Sequence, residues 1–284
     1  ETILSGNIQG GFTDIQITDN SYHVLTANDV NNTAMLDGFT ITRGYSDNTG
    51  GGLYVFNGGQ PVIQQCIFKE NVAANHGGAV SNFSGIPTFI DCLFFNNISN
   101  FGGAMFSTNG SAATLVNCTM ANNTAPNGSG MFNQTNSINY LLNCIVWGNV
   151  VSSTSTSTPI ISYSIIQGGA AGTGNLNLNP QFINAAGGNF RLGPCSPAID
   201  NGNATLLISQ KDLDYNARPY PFTKTDMGAF EYHGIPGGVS LALHNESKTI
   251  SVGGGSYIFN LPDECRIIAK LELTGNNPPG GNVT

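Results

Sequence analysis

The sequence predicts an all-β chain folded as a parallel β-helix, a solenoid of about 26 residues per coil, on three observations. Cys66, Cys92, Cys118 and Cys144 stand 26 residues apart. Asn71, Asn97, Asn123 and Asn149 follow them by five, at the same period. Glycine pairs at Gly51-Gly52, Gly77-Gly78 and Gly102-Gly103, then the looser Gly128-Ser129-Gly130, return at intervals of 25 or 26. Self-similarity at a fixed period of this size marks a solenoid or a related array.

The pattern around each cysteine selects β structure. Gln64, Cys66 and Phe68 alternate with mixed positions, as do Ile90, Cys92 and Phe94, then Val116, Cys118 and Met120, then Leu142, Cys144 and Val146. Alternation with a period of two and one apolar side reads as a half-buried strand, and these residues are expected to point inward. A single strand per repeat cannot close a compact unit, whereas a full coil of short strands stacks on its neighbours about 4.8 Å away. In that reading the cysteine column is a dry filler of free thiols. The asparagine column is a ladder of amides at a turn, and the glycines sit at a corner that a Cβ would obstruct. Cys195 and Cys265 lie outside the column, and the sequence leaves their pairing open.

Around these repeats the organisation changes by segment. Residues 1–168 are expected to form the coils, with "TILSG", "YHVLTAND" and "MLDGFTIT" as earlier rungs and Phe39 and Ile41 facing inward. "VVSSTSTSTP" reads as a low-complexity loop leaving the stack. Residues 169–233 break the period and gather charge, as a cap closing the solenoid must. From 234 to 284 longer alternating runs predict the start of a following β module. The chain begins and ends in mid-phrase, which reads as a fragment of a longer exported protein.

Composition narrows the role by exclusion. Only 9% of residues are charged and the net charge is −8. Nucleic acids and anionic membranes need basic clusters, so neither is an expected partner. No apolar run approaches the roughly 20 residues of a membrane span.

Catalysis finds little support on the coils. Glycoside hydrolysis wants two carboxylates facing one cleft, and polysaccharide lysis wants a base and charge neutralisation. Between Gly51 and Asn189 the only charged residues are Lys69, Glu70 and Asp91. His76 precedes a corner glycine pair and reads as a loop histidine. Two constellations remain. Asp212, Asp214 and Asn216 alternate like the opening of a Ca²⁺ loop, against a plainer reading as a turn whose carboxylates take backbone N–H groups and pair with Arg218. Phe95 and Trp147 share the outward column of Lys69 and Ala121, where exposed rings could stack on sugars or pack under another segment.

Several phrases carry a family likeness. "GGAV" with "FKEN" and "GGAM" with "FFNN" resemble the repeats of chlamydial polymorphic membrane proteins. "TILSG", "LDGFTIT", "NCIVWGN", "NPQFIN", "LGPCSPAIDNG" and "DMGAFEY", in this order, resemble bacterial right-handed parallel β-helix surface proteins with a choice-of-anchor type segment. That likeness covers roughly residues 2 to 233, although Asn179-Pro180 stands where the family often has Asp-Pro. The tail from "ECRIIAKLELTG" resembles modules of surface proteins exported by the type IX system. The resemblance implies right-handed coils, export and display at the cell surface or outer membrane, and no reaction. The expectation is a non-catalytic structural or adhesive module that binds glycans or other surface components. The alternative is a carbohydrate-active enzyme; an ice-binding solenoid lacks its repeated outward threonines.

Overall fold

The computed structural model describes residues 2–7, 19–220 and 224–233, together with the backbone of 247–252 and 255–260. It resolves into two compact units, Glu1–Gly234 and Ile235–Thr284.

The first unit enters on β1 (Thr2–Ser5). Its first rung is β2 (Leu25–Asn28), β3 (Met35–Asp37) and β4 (Phe39–Thr42), followed by the short β5 (Tyr45–Ser46). The second is β6 (Leu53–Phe56), β7 (Val62–Gln64) and β8 (Ile67–Lys69), followed by β9 (Val72–Ala73). The third is β10 (Val80–Phe83), β11 (Thr88–Ile90) and β12 (Leu93–Phe95). The fourth is β13 (Met105–Thr108), β14 (Thr114–Val116) and β15 (Thr119–Ala121). The fifth is β16 (Met131–Asn133), β17 (Tyr140–Leu142) and β18 (Ile145–Trp147). The sixth is β19 (Val151–Ser153), β20 (Ile160–Ser162) and β21 (Ile165–Ile166).

First strands stack into six-stranded sheet I, second strands into six-stranded sheet II, and third strands with β1 into seven-stranded sheet III. Every pairing within these sheets is parallel and in register, Leu53 beside Val80 and Val80 beside Met105, for example. Six rungs separated by about five steps make a parallel β-solenoid, the architecture the three columns predict.

The chain turns its corners at residues of positive φ, which stand just before the cysteine and asparagine columns. Gln65, Asp91, Asn117 and Asn143, between sheets II and III, have φ of 49°, 51°, 52° and 55°. Glu70, Asn96 and Asn122 repeat this after sheet III, as Asn57, Ser84 and Asn109 do after sheet I. Asparagine and glycine tolerate this left-handed region best, which is why a chain with so many corners is rich in both. Before sheet I the requirement is absolute. Gly77 has φ of 63°, and a Cβ there would lie 2.2 Å from the Val80 carbonyl oxygen.

The same corners correct the inward phase read from the sequence. The coil interior is filled by Ile63, Phe89, Leu115 and Leu141 and not by Gln64, Ile90, Val116 and Leu142, although Ile90 and Val116 are also buried. What reads as one alternating strand is two strands of different sheets joined by a left-handed residue, which shifts the phase by one before the corner. After the corner, Cys66, Phe68, Cys92, Phe94, Cys118, Met120, Cys144 and Val146 all enter the core. Phe68 and Phe94 stack at 5.1 Å with planes 11° apart, and Phe89 meets both edge-on. Ile41 is buried in the same core and Phe39 packs against it.

Two polar columns stitch the rungs. Nδ2 of Asn71 donates to Oδ1 of Asn97 at 3.0 Å, Asn97 to Asn123 at 2.9 Å, and Asn123 to Asn149 at 2.9 Å. The backbone N–H groups of Asn71 and Asn97 donate to the same acceptors. All four cysteines of the column are free and buried. Each thiol donates to carbonyl oxygens, Cys92 Sγ to Ile63 at 3.5 Å and Ile90 at 3.3 Å. Burial pushes the Cys66 and Cys118 thiols well above their usual range. In the last rung Ser164 takes the cysteine's place, its hydroxyl accepting from the Cys144 N–H at 2.9 Å.

Two further expectations are corrected. Residues 150–159 do not leave the stack, since β19 pairs with β16 and Ser157 is buried. That rung lacks the glycine corner and is shorter, with Ser152 and Ser153 as strand residues. Nor do residues 169–233 sit only over the end. Residues 170–177 do lie there, with Leu176 bridging to Ile165 and Ala170 against the core. The rest doubles back along the flank of sheet III, with an antiparallel pair of β22 (Phe182–Asn184) and β23 (Asn189–Leu192).

In the second unit β24 (Ser247–Val252) and β25 (Gly255–Asn260) pair antiparallel. The predicted strands at 239–246 and 265–275 lie outside the described residues, as does Cys265.

Candidate functional site

A solenoid offers its outer faces, and here the flank segment divides them. Along the corner between sheets II and III, each left-handed side chain points outward and receives that segment. Gln65 donates to the Asp212 carbonyl at 2.9 Å, Asn117 to the Asp226 carbonyl at 3.1 Å, and Asn143 to the Asn203 carbonyl at 3.1 Å. Asp91 meets Arg218 as an ion pair. Above this seam, Leu93, Ala121, Phe190, Leu213, Ala229 and Phe230 form one apolar cluster. Ile145, Ile165, Leu192, Ala198 and Met227 form another.

Phe95 and Trp147 lie on this covered face. Phe95 packs against Phe190 with centroids 5.3 Å apart, and Trp147 packs on the second cluster. Both rings therefore have intramolecular partners.

Asp212, Asp214 and Asn216 do not converge. Asp212 is buried; its Oδ1 accepts from the N–H groups of Asp214 and Asn216 at 3.0 and 2.8 Å, and its Oδ2 from that of Glu231 at 2.9 Å. Asp214 instead pairs with Arg191, whose guanidinium lies over the Phe230 ring. Arg218, the partner the sequence suggested for this run, is used elsewhere. Among the described residues no group of three or more His, Cys, Asp or Glu side chains is placed to hold a metal ion.

Arg218 is the centre of a sealed charge cluster. Its Nε donates to Glu231 Oε2 at 2.8 Å and its Nη1 to Asp91 Oδ1. Glu231 also accepts from the N–H of Tyr220 at 2.9 Å and from the Thr225 hydroxyl at 3.1 Å. Burial pushes the Asp91 carboxyl up to about 7 against the pull of Arg218. Burial, with the Glu231 charge beside it, pushes Asp226 up to about 7 as well. Asp91 Oδ2 and Arg218 Nη2 have no hydrogen-bond partner. A perturbed carboxyl marks either a reactive site or a structural ion pair. With Asp91 only 1% exposed, this one is a clamp between coil and flank segment.

Sheet I is different. Its outward positions carry half-buried Tyr54 and Phe56 on β6, exposed Phe83 on β10, Phe106 on β13, which is buried beneath neighbouring rings, and half-buried Phe132 on β16. Tyr54 and Phe56 stack at 4.7 Å with planes 17° apart, and Phe106 and Phe132 lie parallel within 1° at 6.2 Å. His23 extends the first pair, at 5.2 Å from Tyr54. His76 packs on Phe106 at 4.3 Å, and burial lowers its pKa. Phe83 remains 44% exposed. The sequence conceals this band because its aromatics do not share one column at one period. The usable signal is the pair of outward positions that follow each glycine pair, the first holding Tyr54, Phe106 and Phe132 and the second Phe56 and Phe83.

Compared with protein-family models, curated proteins and solved structures, the chain matches none.

Proposed function

We propose that this chain is a non-catalytic binding module of a larger exported bacterial protein, engaging glycans or surface components through the outside of its solenoid. The observation that carries the reading is the aromatic surface of sheet I at half-buried Tyr54 and Phe56 and exposed Phe83, while the Asp91 carboxyl on the coils is shut beneath the flank segment. Sequence phrases resembling bacterial β-helix surface proteins with a choice-of-anchor segment support display at the cell surface.

The rival is a carbohydrate-active enzyme, and the Asp91 carboxyl near neutrality is the observation in its favour. Incubating the protein with acidic and neutral polysaccharides separates the two. No reducing ends and no unsaturated product are expected. Product formation that disappears in Asp91→Asn would overturn the reading.

A further inference from the structure

The geometry points to an uncharged polysaccharide lying along the outer face of sheet I, packed against Tyr54, Phe56 and Phe83. This rests on the binding-module reading and adds the site and the ligand class.

The rings are presented rigidly. Tyr54 and Phe56 are two positions apart on β6, so both leave the same side of the sheet. Phe83 stands beside Phe56 in register on the next rung. Their backbones are held by parallel strands on both sides, and the alternate positions Leu53, Val55 and Val80 are locked in the core. Tyr54 is flanked by the rings of Phe56 and His23, so a ligand meets a rigid aromatic ledge of ring edges together with the exposed Phe83 ring, and little ordering is needed on binding. Flat apolar rings complement the C–H faces of pyranose sugars, whose hydroxyls need hydrogen bonds at the edge.

That edge is built. Beside the rings runs a corner row of exposed Asn57, half-buried Ser84 and exposed Asn109. Asn57 Nδ2 donates to Asn28 Oδ1 at 2.9 Å, and Asn109 Nδ2 donates to Ser84 Oγ at 2.7 Å. These bonds orient the amides, and each NH₂ group carries a second proton beyond the bond described.

Charge selects among glycans. None of the six strands of sheet I contains Asp, Glu, Lys or Arg, and the chain carries a net charge of −8. Uronate or sulfate groups would find no cation here, so acidic polysaccharides are disfavoured. A second copy of the chain would want an unbroken apolar face, whereas Ser81 and Thr108 interrupt this one and amides border it.

Affinity electrophoresis of the 284-residue chain through gels containing soluble β-glucan, mannan or polygalacturonate tests the site. A neutral gel is expected to retard the protein and polygalacturonate is not. Removing any one of the three rings should weaken retardation about two- to tenfold, and Tyr54→Ala/Phe56→Ala/Phe83→Ala should abolish it. Phe83→Ala, at an exposed position, decides the matter should the triple variant fail to fold. Ile160→Ala, on the outer side of sheet II, should bind normally. Wild-type retardation in a folded triple variant or in Phe83→Ala would overturn the site while leaving a binding module. Retention by polygalacturonate alone, or by no neutral glycan, would overturn the ligand class. Release of reducing ends would instead overturn the non-catalytic reading beneath it.

Discussion

Asp91 and Arg218, 127 positions apart in the chain, meet as an ion pair almost wholly withdrawn from water. The pair joins a corner of the third rung to the flank segment, and Glu231 completes it from the other side. Breaking a buried pair by removing one partner leaves the other charge uncompensated, at a cost of about 3–5 kcal/mol. Arg218→Met is therefore expected to lower the stability measured in urea by that amount and to open residues 182–233 to limited proteolysis. Asp91→Asn should cost less, because the amide oxygen still accepts from Nη1. A folded Arg218→Met protein within roughly 1 kcal/mol of the parent, close to the error of such a measurement, would show that the pair is not a clamp.

The same cluster sets a pH dependence. Asp91 and Asp226 have carboxyls raised to about 7, with Arg218, Glu231 and Asp212 as their charged neighbours. An unfolded Asp titrates near 3.9, so the folded protein holds these two protons more tightly. Their contribution is fully present below about pH 4 and drains as pH rises through about 7. The free energy of unfolding is expected to fall between pH 5 and pH 8, by at most roughly 3 kcal/mol per group. Asp91→Asn should flatten part of that slope, and a midpoint rising across this window would contradict the assignment.

The asparagine ladder should be costly to interrupt. Asn97 donates to Phe68 O and to Asn123 Oδ1, both at 2.9 Å, and accepts from the N–H and side chain of Asn71. Alanine would leave several of these partners buried and unpaired, at about 1–3 kcal/mol each. Asn97→Ala is expected to lose about 3 kcal/mol or more in chemical denaturation. Asn57→Gly, in an exposed row outside the core and at a positive φ that glycine also adopts, should lose less than about 1 kcal/mol.

Much of this fold was legible because a solenoid repeats its constraints. Cys66 to Cys144 and Asn71 to Asn149 recur at one period since each occupies the same place in successive rungs, so position alone reveals stacking. The phase at Gln64 was hidden for a physical reason: positive φ at Gln65 turns the chain between two sheets, and polarity alone does not distinguish a corner from a strand. The course of the flank segment was hidden too, because Asn117, Asn143 and Asp91 reach partners about 60 to 127 positions away. Local pattern carries no information about such pairings. The aromatic face of sheet I was hidden because Tyr54, Phe83 and Phe106 alternate between two outward positions, which blurs any single column.

The outward column on sheet III makes the last test. Phe95 and Trp147 read from sequence as a pair of sugar-stacking rings, yet each is half-buried against the flank segment. Removing a half-buried aromatic gives up apolar packing on both sides, and fully buried cases cost about 3–5 kcal/mol. Phe95→Ala and Trp147→Ala are therefore each expected to lower stability by about 2 kcal/mol. Both should speed cleavage within residues 182–233, because Phe190, Leu192 and Met227 lose part of their seat. Glycan retardation should be unchanged in both, in contrast to Phe83→Ala. The reverse outcome, intact stability with binding abolished, would move the ligand from sheet I to sheet III.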